Sequence, residues 1–167
     1  MTLEPAKAEE DFMLKQYLFV FLISMLPLVE LRLAIPTALA IGLPIIPSYI
    51  ICIIGNMLPV PIIFLFARKL LIWGSNKKYI GKIFSFFLKK GEKGGEKLQE
   101  KAGRGLYFAL LLFVAIPIPG TGAWTGILAA SILDMEFRKS VFFCIIGVAI
   151  AGIIMGASSA GILSLLR

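Results

Sequence analysis

Histidine is absent from this 167-residue chain, and cysteine occurs only twice, as Cys52 and Cys144, in separate apolar runs. Without His and without clustered Cys there is no metal-ligand set of the usual kind and no Cys–His catalytic pair. Two thiols buried in different apolar runs also argue against a structural disulfide. Charge is scarce, at 16% of residues against roughly 25% in soluble domains. Hydrophobic residues make up 59% of the chain, and the mean hydropathy is +0.92. These values fit an all-α integral membrane protein. A basic leader is missing too: Met1 to Gln16 holds Glu4, Glu9, Glu10 and Asp11, so no cleavable signal peptide is expected. With carboxylates and hydroxyls as the remaining reactive groups, neither enzymatic activity nor a cofactor is expected. The net charge of +7 does not imply nucleic acid, because the basic residues gather in one segment between apolar blocks, as in cytoplasmic loops of membrane proteins.

Four apolar blocks are present: Leu18–Leu43, Ser48–Ala67, Leu106–Leu133 and Ser140–Leu166. The first is interrupted by Pro27 and Pro36, the third by Ile116-Pro-Ile-Pro-Gly-Thr-Gly122. Pro27 and Pro117 stand 90 positions apart, and Gly55 and Gly147, in the block after each interruption, stand 92 apart. This spacing predicts two repeats, at 18–73 and 106–167, each a broken segment followed by a spanning helix. The arms Leu106–Ile116 and Trp124–Leu133 would each be roughly 15 Å of helix, half a bilayer. Such lengths suit re-entrant hairpins, and they also suit kinked spans. Re-entrance is preferred because it inverts the second repeat relative to the first, the arrangement found around transporter sites. Gly147, Gly152, Gly156 and Gly161 recur along the last block, and this face is the expected homodimer contact.

The acidic N-terminal segment, 1–17, precedes the first repeat, and a basic linker, 74–105, joins the two. Between Arg68 and Arg104 lie eleven Lys and Arg against three Glu, which places this stretch in the cytoplasm of a multi-pass cell-membrane protein. Ile80, Ile83, Phe84, Phe87 and Leu88 fall on one face of a short amphipathic helix suited to an anionic leaflet, and Gly91 to Gly105 reads as a charged hinge.

Candidate site residues sit at the interruptions. Glu30 and Arg32 lie inside an apolar block, where ionisable groups are expensive and mark substrate or ion pathways. Broken backbone at membrane depth persists only where protein or a water-filled cavity surrounds it. Residues two apart do not face each other on a helix, so pairing of Glu30 with Arg32 requires unwound chain, which Pro27 and Pro36 favour. Glu30 is the candidate proton carrier, and the alternative is a structural ion pair locking a hairpin tip. Opposite it stands Pro117-Ile-Pro119-Gly120-Thr121-Gly122-Ala-Trp124-Thr125, with glycines for close approach, two hydroxyls, and amides at the start of the next half-helix that attract anions. A tight turn needing glycine for geometry alone accounts for this segment equally well. Asn56, near Pro59 and Pro61, adds a polar group inside the second block, where it either serves the site or hydrogen-bonds between helices.

Leu28-Val-Glu-Leu-Arg-Leu-Ala-Ile-Pro36, Gly55-Asn-Met-Leu-Pro-Val-Pro61 and Ala115-Ile-Pro-Ile-Pro-Gly-Thr-Gly-Ala-Trp-Thr-Gly126 resemble the small multidrug export protein family, over most of the chain from Leu18 to Ala160. More distantly, the paired broken segments resemble the DedA/SNARE-associated membrane proteins, re-entrant-loop transporters or lipid flippases. This chain lacks the Arg that follows Pro-Gly in those proteins. The resemblance implies architecture more firmly than substrate. The expected function is proton-coupled export of small amphipathic compounds, with Glu30 and Arg32 at a midplane site and membrane lipid as surroundings. A lipid flippase or scramblase acting on headgroups, or a non-transporting assembly factor, are the alternatives.

Overall fold

The computed structural model describes residues 3–77, 81, 82, 85, 86, 89, 105–118 and 121–165. Secondary structure among these residues is helical, with no strand. In chain order the helices are α1 (Leu3–Ser24), α2 (Glu30–Ala40), α3 (Ile45–Met57), α4 (Pro59–Ser75), α5 (Gly105–Ala115), α6 (Ala123–Ile132) and α7 (Phe137–Leu165). The expected linker helix through Ile80, Ile83, Phe84, Phe87 and Leu88, and the hinge beyond it, lie outside the described residues.

α3 and α4 form one nearly continuous rod. Pro59 and Pro61 remove two backbone donors, yet only Leu58 leaves the helical assignment, and its N–H still bonds Ile54 O at 3.1 Å. The rod Ile45–Ser75 and the stretch Phe137–Ile162 of α7 are long and apolar enough to cross a membrane. Side chains such as Ile62, Phe66, Leu70, Phe142 and Ile153 are exposed along them. An outer surface of this kind suits lipid rather than water. By contrast α5 and α6, with 11 and 10 residues, are each roughly 15 Å long.

The same local bonding recurs at an offset of 92 positions. α2 ends with Gly42 at φ 86°, where Gly42 N–H bonds Leu39 O at 3.1 Å and Leu43 N–H bonds Ala38 O at 2.9 Å. α6 ends with Asp134 at φ 56°, where Asp134 N–H bonds Ser131 O at 3.3 Å and Met135 N–H bonds Ala130 O at 3.0 Å. Both are Schellman ends, closed by a buried apolar residue, Leu43 or Met135. Ser48 and Ser140, like Cys52 and Cys144, are fully buried on the helices that follow. Gly55 and Gly147 share an environment as well. A Cβ on Gly55 would meet Phe21 O of α1 at 2.7 Å, and one on Gly147 would meet Leu111 O of α5 at 2.8 Å. Each glycine lets the preceding arm press its backbone against the long helix.

Around these contacts α1 packs on α2 and α3, α5 on α7, and α6 between α4 and α7. Glu136 N–H donates to the Tyr107 hydroxyl at 3.4 Å, setting the start of α5 beside the turn that closes α6. That turn is tied to α4 by the Arg68–Asp134 ion pair and by Ser131 Oγ donating to Phe64 O at 2.7 Å. The turn closing α2 lies elsewhere: a Cβ on Gly156 would meet the Ile45 side chain at 3.4 Å, and Tyr49 OH donates to Ala149 O at 2.8 Å. Along α7 the two turns are separated by about sixteen residues, roughly 24 Å.

One expectation is corrected. Pro36 does not interrupt the first block; it lies inside α2, which runs unbroken to Ala40. Its missing N–H costs one i→i−4 bond, but both neighbouring turns are held by α3 and α7. Part of the glycine face of α7 is used within the chain. Gly147 is covered by α5, and Gly152 by Leu31 and Tyr49, whose atoms a Cβ would meet at 2.9 and 2.5 Å.

Candidate functional site

Break one is short and tense. α1 ends at Ser24, where Met25 N–H and Leu26 N–H fold back to Leu22 O and Ile23 O at 3.2 Å each. Leu28 (φ 73°) and Glu30 (φ 48°) then adopt left-handed backbone. For a non-glycine residue that conformation costs about 1 kcal/mol or more, and such outliers cluster at functional sites. The kink reverses the chain so that α2 starts at Glu30 and buries Glu30 and Arg32, 5% and 9% exposed, in its first turn.

The two charged groups do not pair with each other. They reach in opposite directions, to the two helix ends bordering break two. Glu30 Oε1 accepts from Trp124 N–H at 3.1 Å, at the start of α6, and its carboxylate lies directly on Gly122. Any Cβ at Gly122 would collide with that carboxylate. Arg32 Nη2 donates to Val114 O at 3.1 Å and Ile116 O at 3.0 Å, and Nη1 donates to Ile118 O. An anion at a helix N-terminus and a cation at a C-terminus both meet favourable partial charge. One half of the chain thus supplies the caps that the other half lacks, since α6 has no side-chain cap of its own. The indole closes the contact: Trp124 Nε1 donates to Met25 O at 3.2 Å.

Between the breaks lies a cavity of about 260 Å³. Of the expected residues Glu30, Arg32, Pro117, Thr121, Trp124 and Thr125 line it. Gly122 is buried beneath the carboxylate, and Pro119 and Gly120 lie outside the described residues. Pro36 and Asn56 are not in the lining. Asn56 is fully buried in α3, and neither amide atom has a hydrogen-bond partner among the described residues. Pro27, Leu28, Leu33 and Met155 complete the wall. Leu28 is adjacent to a sequence-visible break, but nothing in an apolar helix such as α7 marks Met155. The hydroxyls are directed to backbone: Thr121 Oγ1 is 2.9 Å from both Ile116 O and Ile118 O, and Thr125 Oγ1 is 3.5 Å from Gly122 O. Among the described residues no cluster of metal-ligating side chains occurs.

The profile of a family described as "Putative small multi-drug export protein" matches residues 30–154, from the carboxylate of break one into the middle of α7. No curated protein matches the chain, and no solved structure does.

Proposed function

The chain belongs to this small multi-drug export family, and from that premise we propose that it is a multi-pass transporter moving small amphipathic compounds across the cell membrane through the cavity at Glu30 and Arg32. Export is a transport class rather than an enzymatic one, and the apolar helices fit a membrane location. The observation that carries the reading is the pair of buried charges, each bound to a broken helix end of the other half and both bordering a cavity. Ionisable groups at membrane depth that face a cavity mark pathways, and discontinuous helices meeting at mid-depth are the usual setting of a transporter site.

The α1–α2 and α5–α6 pairs act as re-entrant hairpins, and the two repeats are inverted. What supports this is the half-bilayer length of α5 and α6, together with the two closing turns at opposite ends of α7. The basic linker faces the cytoplasm. Glu30 exchanges a proton in each cycle, because a carboxylate can release the α6 amide when neutral and recapture it when ionised. Rocking one hairpin against the other would then open the cavity to each side alternately.

The test is substrate-dependent proton movement in proteoliposomes. Purified protein with a pH gradient should accumulate an amphipathic substrate, and Glu30→Gln should keep downhill exchange while losing gradient-driven accumulation. Lipid moved between leaflets without a gradient, with no proton flux, would instead assign the cavity to a scramblase.

A further inference from the structure

Most side-chain hydrogen-bond donors bordering the cavity are already engaged. Arg32 Nη1 and Nη2 make three bonds to backbone carbonyls and Nε is sealed inside the protein, which leaves one Nη1 N–H. The Trp124 amide lies on Glu30 Oε1 and the indole N–H on Met25 O. Both threonine hydroxyl protons have carbonyls within reach. Pro27 and Pro117, on the wall, have no N–H to offer.

Acceptors are in the opposite state. Glu30 lines the cavity, and the bond from Trp124 N–H falls on Oε1 rather than Oε2. Thr121 and Thr125 keep oxygen lone pairs. The remaining wall, Leu28, Leu33 and Met155, is apolar. A carboxylate or phosphate ligand would therefore find few side-chain donors left and would face a carboxylate. A ligand that brings its own donors and an apolar body meets a match for both.

We infer that the cavity takes a protonated amine with a compact apolar body, its N–H groups on Glu30 Oε2 and its body against the proline, leucine and Trp124 wall. This rests on the transport reading of the same cavity and narrows its substrate class. An ammonium–carboxylate hydrogen bond in a water-poor site is among the stronger ones available, and it occupies the oxygen that a proton would also take.

Trp73→Phe, at the exposed end of α4, leaves Trp124 as the sole indole. Its fluorescence reads binding in nanodiscs of zwitterionic lipid, with phenylbutylamine, phenylbutanol and phenylbutyrate as probes. The amine should bind saturably and about tenfold or more tighter than the alcohol, and the acid should not bind. Folded Glu30→Gln protein should lower the amine to the alcohol's affinity. Phenylbutyrate binding as tightly as the amine, or an amine preference surviving in Glu30→Gln, overturns the inference. If Glu30→Gln does not fold, the amine-against-acid contrast in otherwise native protein decides alone. Amine bound but never driven by a gradient would end the transport reading and leave this one intact; driven movement of the acid but not the amine would do the reverse.

Discussion

Arg32 and Trp124 stand 92 positions apart, and each donates to the end of the helix that precedes the other. Arg32 bonds Val114 O and Ile116 O at the end of α5, and Trp124 Nε1 bonds Met25 O at the end of α1. The two breaks are thus interlocked by a reciprocal exchange of donors, and several consequences can be measured.

Arg32→Lys is not conservative here. A point ammonium cannot serve three carbonyls that a planar fork reaches together. Loss of the fork should destabilise the protein by about 2–3 kcal/mol, nearly as much as Arg32→Gln. Chemical denaturation in detergent reads this, and a Lys variant as stable as the native protein would show that charge alone suffices.

Trp124→Phe keeps a ring in the cavity wall but removes the bond to Met25 O. A loss of about 1 kcal/mol is expected, together with slower transport. Unchanged stability and rate would mean that the reciprocal bond has no energetic weight.

Gly122→Ala puts a methyl group where the Glu30 carboxylate lies. Gly122 has an extended backbone, so the penalty is steric and should run to about 1–3 kcal/mol. Shortening the acid in the double variant Gly122→Ala/Glu30→Ser should recover part of that loss. Strict additivity in this cycle would separate the two residues.

Gly55→Ala and Gly147→Ala should cost similar amounts, about 1–3 kcal/mol each, since each meets backbone oxygen below 3 Å. Gly161→Ala, with open space around it, should be near neutral. The ranking is read from thermal unfolding; Gly161→Ala as harmful as the other two would reveal a further contact there.

Topology has its own test. Cysteines placed at Asn76 and Arg138, in a background lacking Cys52 and Cys144, should react from one side, and a cysteine at Ile46 from the other. All three are exposed positions. Asn76 and Arg138 reacting from opposite faces would replace the hairpins with kinked spans.

Much of the frame was legible in residues. Apolar runs set the helices, and Pro117 to Gly122 set the second break, because proline and glycine act locally. The burial of Glu30 followed from its apolar neighbours. What each charge touches was not legible: Glu30 and Arg32 are two apart, which invites a pair, whereas the φ values at Leu28 and Glu30 turn them toward separate helix ends. Pro36 misled because its effect depends on whether flanking helices hold the turn. The glycines of α7 announce a close approach without saying to what, and for Gly147 and Gly152 the neighbour is the same chain. Met155 is visible only once α7 is placed.

Glu30 and Gly122 stand at the same 92-position offset as the two closing turns, yet one is a knob and the other the hollow that receives it. In an assembly of two identical half-length chains, that position would hold acid against acid or hollow against hollow. Carrying both halves on one polypeptide frees the position to differ, so the lock and its key can be written at the same address.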